Sequence, residues 1–257
     1  MCECVPYRSM GWRGWIDVPP PRVPACTAPW TDLSHPMWDG LDRSPVLPAP
    51  RIGRIRSLPG DIANITELQM VVHFGTHIDA PCHFIADGPS IDQIPLERLY
   101  GPGVIWRLQH LEPLSLIEPA HLEQARPRLE RGDMLLLDTG WAQHINTPLY
   151  EDHPSLSPAA AQWIVDKGVK LFGVDFSTPD LTAHLRPEGF DFPVHHILLS
   201  HGVLIAEHLT NLGSLANQRA EIMFPAINLK GSDGAPARAM ARALPNGPAD
   251  ARGLQHT

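Results

Sequence analysis

Residues 73 to 83 read HFGTHIDAPCH, so three histidines and one aspartate fall within eleven positions. Nothing else in the chain restricts its fold as much. Neutral imidazole and carboxylate are the side chains that together suit Zn²⁺, Mn²⁺ or Fe²⁺. The run leading into them, IANITELQMVVHF (62–74), is rich in β-branched and apolar residues and predicts a strand. Gly75 and Thr76 let the backbone turn, and Pro81 stiffens the exit so that His83 is held in place. His73, His77 and Asp79 can then converge on one point. Between apolar flanks such groups are costly to bury unless they share a partner. A lone histidine at a strand end would be an ordinary surface or core residue; this density predicts a metal site.

The rest of the chain supplies strands with a few helices between them. VIWRL (104–108), MLLLDTGW (134–141), VKLFGVDF (169–176), VLIAEHL (203–209) and EIMFPAINL (221–229) predict strands. SPAAAQWIVDKG (157–168) predicts a helix, with Ser157 as N-cap, Pro158 in the first turn and Gly168 at the end. FPVHHILLSHG (192–202) predicts a short helix closed by Gly202. The expected class is a sheet-rich α/β fold. Residues 1–30 (with WRGWIDVPPP) predict an extended arm whose tryptophans need a surface, such as a second subunit. Residues 31–242 form the main domain, and 243–257 predict a loose tail without apolar period.

A formal charge of −8 excludes nucleic acid as an expected partner, since phosphate binding needs a basic surface. No window has the length and apolarity of a membrane span, and the first residues lack a leader pattern, so a cytoplasmic protein is expected. Cys2, Cys4, Cys26 and Cys82 form no CxxC pair, and no disulfide framework is expected.

A second cluster, PVHHILLSHGVLIAEHL, holds His195, His196, His201, Glu207 and His208. A helix followed by a strand could bring one of these histidines and Glu207 to the first cluster. Three ligands leave a position open for water, and more would admit a second ion bridged by Asp79. Asp138 and Asp175 end apolar strands, where an acid either supports a site or starts a turn. Trp38, Phe74, Phe84 and Phe176 are candidates for an apolar pocket wall.

HFGTHIDAPCHF resembles the HxGTHxDxPxH signature of the cyclase-like metal-dependent hydrolases, the family of bacterial kynurenine formamidase and isatin hydrolase. The similarity runs on in order through DLSHPM (32–37), LLDTGW (136–141), GVDFSTPD (173–180), HHILLSHGVLIAEHL (195–209) and LKGSDGAPARAMA (229–241). It implies a swivelling β/β/α-type fold and a homodimer or homotetramer. It implies metal ligands at His73, His77 and Asp79, with His195 and Glu207 added at the family's twelve-residue spacing, and His83 as catalytic acid/base. Some positions depart from the family. Residues 44–54 (SPVLPAPRIGR) lack the tryptophan that packs on the substrate in kynurenine formamidases, Ala235 stands for Ser, and His208 stands for Asn.

The expected activity is hydrolysis of a non-peptide C–N bond in a small amide, formamide or cyclic amide. It would use one or two Zn²⁺ or Mn²⁺ ions per subunit, with His83 moving the proton. A lactone or isatin-type ring-opening hydrolase differs in leaving group only. A non-catalytic protein that uses metal for folding would have fully coordinated ions and no role for His83.

Overall fold

The computed structural model describes residues 7–44, 46–108 and 111–245. Cys2, Cys4 and most of the expected tail lie outside them. Among the described residues thirteen strands run β1 Thr31–Asp32, β2 Arg51–Arg56, β3 Ile65–Gln69, β4 His77–Asp79, β5 Tyr100–Arg107, β6 Leu116–Ile117, β7 Met134–Asp138, β8 Ser155–Leu156, β9 Leu171–Val174, β10 Leu204–Glu207, β11 Gln218–Met223, β12 Gly234–Pro236 and β13 Met240–Ala243. The α-helices among the described residues are α1 Pro119–Glu123, α2 Pro158–Asp166 and α3 Pro193–Ser200.

Nine strands form one sheet in the order β1-β13-β11-β5-β7-β9-β10-β4-β12. β5, β7, β9 and β10 are parallel. Antiparallel strands flank them on both sides: β11, β13 and β1 on one, β4 and β12 on the other. The sheet curls so that the exit of β1 reaches the end of β10, where Ser34 bridges Leu209 and the Thr210 N–H bonds the Leu33 carbonyl at 3.0 Å. This is the sheet-rich α/β domain with few helices, of swivelling β/β/α type, that was expected.

Strand alternation builds two cores. Val104, Trp106, Leu135, Leu137, Phe172, Val174 and Ile205 point toward the helices. Ile105, Met134, Leu136, Leu171, Leu204, Ala206 and Ile78 point into the space the curl encloses. Strands buried on both faces read as continuous apolar runs, which is why MLLLD and VKLFGV were legible. α2 begins as its sequence requires: Ser157 Oγ accepts from the Ala160 N–H at 3.1 Å, and Gly168 takes φ +73° beyond its end. Gly202, at φ +71°, follows α3 in the same way.

The run 62–74 does not form one strand. β3 stops at Gln69, and residues 72–76 bend before β4 starts at His77. β3 is exposed along its length and pairs with β2 in a hairpin outside the main sheet, so its apolar residues face outward. His73 is therefore held by a bend rather than a strand end.

Described residues of the arm lie on the domain's own surface. Trp12 and Ile16 pack on the helix-side core. Arg98 donates to the carbonyls of Ile16 and Gly202, with its guanidinium 4.8 Å from the Trp15 ring centre.

Gly103 lets β5 and β7 meet, since a Cβ there would lie 2.3 Å from the Met134 carbonyl oxygen. Gly103→Ala should destabilise the protein by at least about 2 kcal/mol, measured by denaturant unfolding. An unchanged midpoint would mean that the strands can part without loss.

Candidate active site

The pairing of β4 with β10 builds the centre. His77 and Asp79, two residues apart, share the helix-side face of β4, while Ile78 faces the enclosed core. Across the ladder Glu207 pairs with His77 and Ile205 with Asp79. His195 comes down from α3. His77, Asp79, His195 and Glu207 are all buried.

Their polar atoms form a closed ring. His77 Nε2 lies 3.3 Å from Asp79 Oδ1 and 3.4 Å from Glu207 Oε2. His195 Nε2 lies 3.5 Å from Asp79 Oδ2 and 3.4 Å from Glu207 Oε1. Metal bonds of about 2.0–2.1 Å in a tetrahedron place neighbouring ligand atoms roughly 3.3 Å apart. His77 Nε2, Asp79 Oδ2 and Glu207 Oε1 are buried without a hydrogen-bond partner. Orphaned acceptors facing one another at ligand spacing fit a divalent cation.

Each imidazole is aimed by its other nitrogen. His77 Nδ1 donates to the Gly75 carbonyl at 2.8 Å, which Gly75 permits by taking φ +63°. His195 Nδ1 lies 2.6 Å from Asp180 Oδ2. The Asp180 carboxylate also accepts the Val194 and His195 backbone N–H groups, so one residue starts α3 and aims its histidine.

His73 Nδ1 reaches Asp79 Oδ1 at 2.8 Å and His73 Nε2 reaches Asp233 Oδ2 at 2.9 Å. His83 stacks on His73 with ring centres 3.9 Å apart, and its Nδ1 lies 3.3 Å from the same Asp233 oxygen. The bond from His83, against partial burial and helped by His73, holds the Asp233 carboxyl below its ordinary range. Gly234 makes room for His73, because a Cβ there would sit 2.8 Å from His73 Cε1.

All six residues expected at the site are thus brought together: His73, His77, Asp79, His195 and Glu207 around the ring, and His83 beside it. Asp180 and Asp233 were missed. Both stood inside the quoted segments GVDFSTPD and LKGSDGAPARAMA, but neither has a local signal for its role. Asp138 and Asp175 act elsewhere. Asp138 pairs with Arg107 at 2.6 Å, and Asp175 accepts from Thr139 and Trp141 to shape the turn after β7. Burial pushes the Asp175 carboxyl up to about 6.

A cleft of about 210 Å³ opens beside the ring, with His73, His83, His195 and Glu207 among its lining residues. Phe84 and Phe192 line it, and Phe84 packs 4.5 Å from the His195 ring. Phe74 is buried in the interior, Phe176 lies behind His153, and Trp38 is exposed.

Known proteins fit this description. The cyclase family model ("Putative cyclase") matches residues 29–181. Kynurenine formamidase of Bacillus cereus is 29% identical over 222 residues, covering 85% of this chain and 99% of that one. Isatin hydrolase A from Ralstonia solanacearum is 22% identical with a TM-score of 0.72, covering 83% of this chain and 91% of that one. An isatin hydrolase bound to the product analogue thioisatinate is 19% identical with a TM-score of 0.76, covering 84% and 92%. At these identities the two structures show a shared fold. The chain belongs to the cyclase family, and it is a metal-dependent hydrolytic enzyme.

The ring binds protons when it holds no metal. Burial pulls the His77 pKa down, but Asp79 and Glu207 outweigh it and raise it to about 10. Burial and Asp79 push Glu207 up, and His195 and His77 bring it down to about 2. His77 is therefore protonated at pH 7, and a metal ion must displace that proton. Adding Zn²⁺ or Mn²⁺ to chelator-treated protein at pH 7 should release about one or two protons per ion, read with an indicator dye in weak buffer. Metal uptake without proton release would remove the imidazoles from the ligand set.

Proposed function

We propose that the protein hydrolyses a non-peptide C–N bond in a small amide, formamide or cyclic amide, with His73, His77, Asp79, His195 and Glu207 as metal ligands and His83 as the acid/base. The observation that carries this reading is the buried ring of two imidazoles and two carboxylates, with unpartnered atoms turned inward, beside a cleft that His83 also lines. The metal is Zn²⁺ or Mn²⁺, one or two per subunit, in keeping with a mixed imidazole and carboxylate donor set.

A divalent ion held there supplies a Lewis acid for the carbonyl oxygen and a water made acidic enough to attack. The chain does the rest. Phe84 and Phe192 give the cleft an apolar wall for the acyl or aryl part of the substrate. Asp233 accepts from His83 Nδ1, which fixes the ring and leaves Nε2 free for proton transfer. His83 takes a proton from the attacking water as its oxygen joins the carbonyl carbon. It returns that proton to the nitrogen as the C–N bond breaks, so a carboxylic acid and an amine result.

The working unit is residues 31–242, with the described arm residues 7–30 laid on it; β13 carries the sheet one residue past that bound, to Ala243. We further propose a homodimer or homotetramer, supported by exposed Ile55, Ile65 and Leu68 on the β2–β3 hairpin. No described helix is long and apolar enough to cross a membrane. A cytoplasmic location is in keeping with Cys26 and Cys82 both being free thiols.

Elemental analysis of the purified protein, combined with two variants, tests the assignment. His83→Ala should keep its metal and lose activity on a formyl-amide by about 10²–10⁴-fold. Asp79→Ala should lose the metal. If His83→Ala also lost its metal, His83 would be a ligand; full metal occupancy in Asp79→Ala would defeat the ring.

A further inference from the structure

Two histidines in the cleft belong neither to the metal ring nor to the His83–Asp233 pair. His208 directly follows Glu207, and His153 precedes β8; both line the cleft and both are buried. In each, one ring nitrogen is fixed by a neighbour, and the two neighbours are of opposite kind.

His153 Nδ1 lies 2.8 Å from the Pro154 carbonyl oxygen. A carbonyl only accepts, so Nδ1 carries the hydrogen and Nε2 of the neutral ring is an acceptor. Burial keeps the ring neutral, holding its pKa down near 4. The ring stacks on Phe176 at 5.1 Å and 10°, which fixes its plane. Nε2 is buried with no hydrogen-bond partner.

His208 Nδ1 lies 2.8 Å from the Tyr150 hydroxyl. Tyr150 is buried, and its hydroxyl has no other partner among the described residues. Were Nδ1 to carry the hydrogen, the phenol proton would be stranded in the interior. The phenol therefore donates, Nδ1 accepts, and Nε2 carries the hydrogen. Nε2 has no protein partner among the described residues. His208 holds this position at φ +54°, a conformation that side chains disfavour and surrounding bonds must enforce. Its N–H donates to the Phe176 carbonyl at 3.0 Å, and the Thr76 hydroxyl donates to its carbonyl at 2.5 Å. The His208 ring centre is 5.9 Å from that of His77.

We propose that His208 and His153 are a donor–acceptor pair that reads the amide group of the substrate. His208 Nε2–H donates to the carbonyl oxygen, and His153 Nε2 accepts from the amide N–H. The cleft then selects a secondary amide or lactam with a free N–H over an ester or lactone of the same shape, which has no proton at that position. This rests on the amide-hydrolase reading above and narrows it. Both histidines line the same cleft as His195 and Glu207, which places the pair beside the ring.

The test is binding to the metal-loaded full chain, followed by calorimetry. The probes are 2-oxindole (a lactam with N–H), 1-methyl-2-oxindole and the lactone 2-coumaranone. The wild type should bind 2-oxindole about tenfold tighter than either of the others, the effect of one net hydrogen bond. His153→Phe keeps the ring stack and removes the acceptor; it should bring 2-oxindole to the lactone's affinity and leave the lactone unchanged. The double variant His208→Phe with Tyr150→Phe should weaken lactam and lactone alike. Equal wild-type affinity for all three probes overturns the proposal, as does absence of binding by any of them at millimolar concentration. Equal weakening of both ligands in His153→Phe also overturns it. Turnover of formanilide, measured in parallel, tests the hydrolase reading separately. Selective binding without turnover would keep the subsite and remove the reaction; turnover without selectivity would do the reverse.

Discussion

Two buried carboxylates that face two buried imidazoles set the terms for the rest of the molecule. Asp79 and Glu207 have neighbouring negative charges in the interior, where like charge and loss of water both oppose ionisation. They are tolerable only when cations, whether protons on imidazole or a metal, lie between them. That requirement fixes much around them. β4 must pair with β10 in the register that sets His77 against Glu207, and a slip by one residue would turn His77 and Asp79 into the enclosed core. α3 must lie over that face and begin at Asp180, or His195 would not arrive with its Nε2 inward. The curled sheet serves the same end, since Thr76 donates to the His208 carbonyl and accepts from the His35 N–H, tying the metal loop to the β10 end and the first strand's exit.

The chemistry divides between two groups that share one residue. In the proposed assignment the ring holds charge and His83 moves protons. His73 touches both, because its Nδ1 meets Asp79 while its Nε2 and His83 Nδ1 meet Asp233. Asp233 thus touches the proposed ligand and the proposed acid/base together. The stack of His73 on His83 brings the two rings face to face, and one Asp233 oxygen reaches a nitrogen of each. On that proposed assignment, substituting Asp233 would disturb metal holding and proton transfer at once, whereas Asp180 meets the ring through His195.

What the sequence disclosed follows from the range of each interaction. HFGTHIDAPCH was legible because strand alternation and two turns bring its ligands together within eleven residues. His195 and Glu207 lie far along the chain; the helix-then-strand pattern offered Glu207 with one of several histidines, and the resemblance to a family chose His195 among them. Asp233 is bonded to a histidine 160 residues away, and a lone SDG carries no mark of that partnership. Asp175 ends an apolar strand and was open to either a supporting or a turn role, and it serves the turn at Thr139 to Trp141. The run 62–74 misled for a different reason. β-branched composition signals a strand but not which sheet receives it, and here the hairpin stands outside the main sheet.

The ring of ligands is suited to any carbonyl and so cannot choose a substrate by itself. Selection has to come from groups around it that the metal chemistry does not need. The cleft offers apolar rings and two histidines whose hydrogens are fixed by a tyrosine and by a backbone carbonyl. A flexible polar side chain could turn to suit either an amide or an ester. A buried imidazole with one nitrogen already committed cannot exchange its donor and acceptor sides without stranding a partner. Fixing those hydrogens makes the cleft discriminate by penalty, since a ligand without N–H leaves the His153 acceptor unpaired. The position where this chain has His208 in place of the family's asparagine is therefore where its substrate preference should part from that of its relatives.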